Sequence, residues 1–310
     1  MATTLLDLTQ QGEVGTITDE SKLASVQLMN PQQLYQLWEK QNWVSQTIDF
    51  TKDKEDWAGF TDEERSNMAW NLSSFFVGEE RVTTQFTGLV AAYEDQSEEA
   101  FLTTQQVDEA RHAQHFNRFY DQVVGYDGTF DQRLERARED LNDAFLVLFD
   151  EHLVDACDRL MADRGDIEAK VDFVTTYHMV IEGTLALTGQ YYITDYCEQH
   201  DVLPGFTEGF RNISRDEHRH VAYGTWYLKE RCQDPAIKAR VQDKLVELLP
   251  VAAGVFVPPG LQLGDSYEIL GYSSDHVNEF AFTALSRRLK VIGVELPTVT
   301  AQSPEPVSGL

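Results

Sequence analysis

Between Pro31 and Pro204 the sequence contains no proline. Proline removes a hydrogen bond from a helix interior and clashes with the preceding turn, so this long span is free to form helices of many turns. Its apolar residues keep helical time: Leu72, Phe75, Phe76, Val82 and Phe86 recur at three- and four-residue steps along one face. Thr61 followed by Glu64 is a capping-box pattern that starts such a helix. "GYDG" (125–128) and "ADRGD" (162–166) mark turns. The spacing predicts helices at about 32–43, 61–93, 97–123, 130–164, 167–200, 206–232, 234–249 and 266–289. Strand signals are weak throughout. The expected fold class is all-α, a helix bundle with late helices packed outside it. Residues 1–30 are expected to form an N-terminal extension, 31–292 the bundle and 293–310 a flexible tail.

Composition narrows the function. Asp and Glu number 52 against 25 Lys and Arg, a formal charge of -27, which repels nucleic acid and anionic membranes. The acids are dispersed and form no terminal tail, which favours a halophilic surface, adapted to high salt, over a docking face for a basic partner. Three cysteines with no C-x-x-C point to a reducing cytoplasm, and away from a disulfide framework or zinc–thiolate site. The first residues show neither a basic n-region nor an apolar h-region, and no apolar run is long enough for a transmembrane helix. A cytoplasmic protein without membrane insertion is expected.

The chemistry lies in two short repeats. "SRDEHRH" contains Glu217 and His220, and "DEARHAQHF" contains Glu109 and His112. A spacing of three puts each pair on one helix face. Each repeat is preceded, at a comparable interval, by a glutamate on an apolar face. Glu79 shares its stripe with Leu72, Phe76 and Val82, whereas the adjacent Glu80 faces outward; Glu182 stands among Val174, Met179, Leu185 and Ala186. A lone buried carboxylate is costly unless paired, protonated or metal-bound. A single Glu-x-x-His is ordinarily a surface pair. Four carboxylates and two imidazoles, one cluster per long helix, form the inward ligand set of a di-iron or di-manganese carboxylate bundle, and hard oxygens with imidazole suit iron and manganese. Asp216 is a candidate to accept the second N–H of His112 across the bundle. His115, His178 and His218 are expected to pack or face solvent, and Arg111, Arg215 and Arg219 to neutralise nearby acids.

At these residues the chain resembles the small, radical-generating subunit of ribonucleotide reductase and its ferritin-like relatives, over roughly residues 60–290. Phe116 stands where the reductase subunit usually carries its radical tyrosine, one turn after the first ligand histidine, and no tyrosine follows Tyr272 to relay a radical to a large partner. "GEERV", with Val82 three residues after Glu79, and "YHMVIE", with Tyr177 five before Glu182, are similar to a sister family, the ligand-binding oxidases with a mixed manganese/iron centre. That resemblance implies manganese on Glu79, Glu109 and His112, iron on Glu182, Glu217 and His220, and Glu109 bridging, with Fe/Fe as an alternative. It also implies an ether cross-link between Val82 and Tyr177 formed when the centre activates dioxygen, an apolar, fatty-acid-like ligand in a channel reaching the metals, and a homodimer. Spacing alone leaves Tyr177 about 140° from the direction of Glu182 on a regular helix; a π-bulge between them would help close that angle.

The expected activity is two-electron oxidation of an apolar ligand by dioxygen. Two alternatives stand beside it: a reductase small subunit lacking the usual radical tyrosine, and a non-catalytic metal-storing or lipid-binding bundle.

Overall fold

The computed structural model describes Leu8–Thr9, Gly12–Glu13 and residues 20–297. The first two segments pair as an antiparallel β1–β2 ladder. Helix α1 (Pro31–Lys40) and α2 (Thr51–Gly59) lead into α3 (Asp62–Gln85), which starts as the sequence indicates. Thr61 N–H donates to the Glu64 carboxylate and Glu64 N–H donates back to Thr61 Oγ1, satisfying two donors a helix start leaves open. A short α4 (Thr87–Ala91) turns the chain into α5 (Gln96–Phe119), capped by Asp95. Helices α6 (Phe130–Arg138), α7 (Asp143–Leu146) and α8 (Leu153–Ala162) carry the chain to α9 (Ile167–Val174). From α9 a π-helical segment, Thr175–Ala186, runs directly into α10 (Leu187–His200). The long α11 (Pro204–Arg231), α12 (Pro235–Val255) and α13 (Ser274–Ile292) complete the chain.

The all-α expectation holds. α3 packs on α5, the π segment packs on α11, and α5 meets α11 across the bundle. Four rods thus enclose one apolar core, with α12 and α13 laid against the π segment from outside. Two contacts fix that segment. Gly224 of α11 lets its backbone touch His178, because a Cβ there would lie 2.2 Å from His178 Cβ. Arg288 of α13, fully buried, donates to the Gly183 carbonyl.

Several boundaries differ from the sequence reading. The single helix expected at 130–164 breaks after Arg138, and Asn142 caps a fresh start at α7. The helix expected from 266 begins at Ser274, after a β3 (Glu268–Ile269)–β4 (Tyr272–Ser273) hairpin whose turn uses positive φ at Leu270 and Gly271. Helix α2 was not anticipated. Val294, inside the expected tail, is buried, whereas residues 298–310 lie outside the described residues. The three cysteines are buried and unpaired. Among the described residues no helix is long and apolar enough to cross a membrane.

Candidate metal centre

Each of the four rods contributes to one buried cluster. Glu79 comes from α3, Glu109 and His112 from α5, Glu182 from the π segment, and Glu217 and His220 from α11. All six are 6% exposed or less. Their ligand atoms form two groups, Glu79–Glu109–His112–Glu217 and Glu109–Glu182–Glu217–His220, each within 4.8 Å. Glu109, the expected bridge, belongs to both groups, and so does Glu217. Both histidines turn Nδ1 inward. His112 Nδ1 lies 3.3 Å from Glu79, 3.5 Å from Glu109 and 3.4 Å from Glu217. His220 Nδ1 lies 3.1 Å from Glu182, 3.0 Å from Glu109 and 3.6 Å from Glu217.

Their outward nitrogens meet aspartates from the opposite half of the bundle. His112 Nε2 is 3.2 Å from Asp216 and His220 Nε2 is 3.3 Å from Asp108. Each aspartate immediately precedes a glutamate of the cluster, and each accepts a tryptophan N–H: Trp43 Nε1 on Asp216 at 2.7 Å, Trp38 Nε1 on Asp108 at 2.9 Å. One guanidinium ties the pair together. Arg219, 1% exposed, donates to Asp108 at 2.9 Å and to Asp216 at 2.6 Å. Asp216 was singled out from the sequence; Asp108, Trp38, Trp43 and the joining role of Arg219 were not. The signal was present, because both repeats read Asp-Glu-x-Arg-His.

The electrostatics fit cations at the centre. With Nε2–H directed at an aspartate, each Nδ1 lone pair faces carboxylate oxygens, an arrangement that needs a proton or a cation between them. Burial pushes the Glu79 carboxyl up to about 8, against the pull of His112. Burial and the Glu217 charge likewise push Glu182 well above its ordinary range. Burial opposes ionisation of Glu109 too, but His220 and His112 hold it well below the usual range. Glu182 Oε2 and Glu217 Oε2 are buried without a hydrogen-bond partner. Four carboxylates with two neutral imidazoles match two divalent ions in charge, and the donor set suits iron and manganese.

Val82 and Tyr177 both line a cleft of about 820 Å³, its solvent-open mouth included, whose inner end is walled by Glu79, Glu109, Glu182 and Glu217. Tyr177 is fully buried and donates to Glu109 at 2.6 Å. The π segment contains both Tyr177 and Glu182, and in π geometry residues five apart are the bonded pair, so both side chains reach the centre. Gln105, one turn before Glu109, is 3.3 Å from both Tyr177 Oη and Glu182 Oε1. His115 pairs with Ser45, His178 with Gln105, and His218 with the Ser214 carbonyl. Phe116 is buried and stacks on Phe75.

Residues 22–295 match the family described as ribonucleotide reductase, small chain. Among solved structures, the chain is similar to an R2-like ligand-binding oxidase from Sulfolobus acidocaldarius, at 26% identity and a TM-score of 0.71, covering 87% of this chain and 92% of that one. It is also similar to a valine-to-leucine variant of an R2-like ligand-binding oxidase with an anaerobically reconstituted Mn/Fe cofactor, at 25% identity and a TM-score of 0.72, covering 89% and 96%.

Proposed function

Since this chain belongs to the ribonucleotide reductase small-chain family, we propose that it is a dimetal oxidase that uses dioxygen to remove two electrons from an apolar ligand. One observation carries the reading: the four carboxylates of the cluster form the inner wall of an apolar cleft that Val82 and Tyr177 also line. Manganese would be held by Glu79, Glu109 and His112, and iron by Glu182, Glu217 and His220, with Asp216 and Asp108 orienting the imidazoles. When bound, the ion pair supplies the electrons that let dioxygen act on an unactivated C–H bond. The chain supplies the rest. Apolar walls exclude water and align a fatty-acid-like chain with its inner end at the carboxylates. Glu109, already hydrogen-bonded to the Tyr177 hydroxyl, accepts the phenolic proton as the Tyr177 oxygen bonds to Val82 Cβ. The Val82 Cβ–H bond breaks, and its hydrogen, with both electrons of that bond, passes to the dioxygen-derived oxidant.

Aerobic loading with Mn(II) and Fe(II), followed by metal analysis and peptide mass spectrometry, tests the reading. The expected result is both metals bound and a cross-linked peptide pair lighter by two hydrogens. Val82→Leu and Tyr177→Phe bind metals without the cross-link; a cross-link that survives in either overturns the assignment. Two metals with no cross-link in the unaltered chain favour the reductase-subunit alternative. The reading also carries a homodimer, which size-exclusion chromatography checks.

A further inference from the structure

Beyond the four glutamates at its inner end the cleft is walled mostly by aromatic and aliphatic side chains, and Thr188 is a fully buried hydroxyl among them. Glu182, Leu185, Thr188, Gly189 and Tyr192 form a continuous stripe up the π segment and α10, and all line the cleft. Thr188 is 0% exposed, and its hydroxyl has no hydrogen-bond partner. A helical threonine ordinarily bonds the carbonyl four residues back, as Thr207 and Thr225 do in α11. Ser74, on the opposite wall, is already committed to the Trp70 carbonyl, and the Tyr192 hydroxyl points to the His276 carbonyl. Gly189 keeps this stretch of wall thin, because a Cβ there would lie 2.9 Å from the Phe75 ring.

A buried polar atom left without a partner is destabilising, and native interiors mostly complete it with protein, ordered water or a ligand; Thr188 stands where a ligand in the cleft can reach it. We propose that Thr188 completes its hydrogen bonding with the ligand, so the preferred ligand is a long alkyl or acyl chain carrying an oxygen function partway along it. This rests on the reading of the cleft as the ligand channel, and it names which ligands that channel selects. Thr188 follows Glu182 by six residues, about 9 Å along the helix. The matching hydroxyl or carbonyl therefore lies on the order of seven carbons from the chain's inner end. A site that hydrogen-bonds such a group rejects the analogue lacking it, whereas an apolar wall tolerates either.

The test is calorimetric titration of the metal-loaded protein with hexadecanoic acid and with a positional series of monohydroxyhexadecanoic acids. One mid-chain isomer is expected to bind about tenfold more tightly than the parent acid. Thr188→Val, which keeps the shape and removes the hydroxyl, should erase that preference while leaving parent binding intact; Thr188→Ser should retain it. Equal binding of all isomers, or a preference that survives in Thr188→Val, overturns the inference and leaves the channel reading standing. Failure of every chain to bind overturns the channel reading itself.

Discussion

Replacing Arg219 by methionine separates a lock on the whole centre from an ordinary buried ion pair. The guanidinium bonds two fully buried aspartates at 2.9 and 2.6 Å, and each aspartate holds one imidazole. Removing one partner of a buried charge pair costs about 3–5 kcal/mol. Arg111 lies 3.2 Å from Asp108 and 3.8 Å from Asp216 and takes up part of the charge, so the lower end, about 3 kcal/mol, is expected. Loss of a carboxylate that orients a ligand histidine weakens metal binding about 10–100-fold. Because Arg219 serves both aspartates, both metal positions should weaken together, whereas Asp216→Asn should weaken the His112 side and Asp108→Asn the His220 side. Urea unfolding of the metal-free protein measures the first quantity. Competition between Co(II) or Mn(II) and a chelator measures the second. If Arg219→Met lost stability with unchanged affinity, or lost affinity at one position alone, the coupling argued from geometry would be refuted.

Two further outcomes follow from packing and burial. Burial pushes the His115 imidazole down to about 3, against about 6.5 in the unfolded chain. Its folded value is the lower one, so stability is complete above about 6.5 and drains away as pH falls toward 3; between pH 7 and 5 the loss is about 2 kcal/mol. His115→Asn should lack that part of the pH dependence, and urea midpoints at the two pH values that change equally in both proteins would refute the argument. Gly224→Ala places a Cβ 2.2 Å from His178 Cβ, forcing α11 away from the π segment. A loss of about 2–3 kcal/mol is expected, and an unchanged thermal midpoint would count against the close approach.

The bundle was legible because helical periodicity and an absence of proline act over many residues at once. The six-residue cluster was legible because Glu-x-x-His occurs twice and a carboxylate on an apolar face, Glu79 or Glu182, precedes each copy in the same order. Asp108 escaped although the Asp-Glu-x-Arg-His repeat gives it the place that Asp216 holds in the second copy, because its partner His220 is met only across the packed bundle. Helix α2, "TKDKEDWAG", offers one large apolar residue, Trp57, and so no period. It is held by tertiary contacts instead, with Asp53 accepting the N–H groups of Gly205 and Phe206 at the start of α11. The hairpin before α13 depends on backbone turns at Leu270 and Gly271, which hydropathy does not report.

The exchange of aspartates between the two halves also sets when the centre can come into being. His112 is held by a residue 104 positions later, and His220 by one 112 positions earlier. Contacts at such separation form late, after the loop-closure entropy has been met. A chain emerging from synthesis carries its first Glu-x-x-His long before the aspartate that orients it. Neither half can align its own histidine, so a metal would meet the full, oriented ligand set only once both halves have docked.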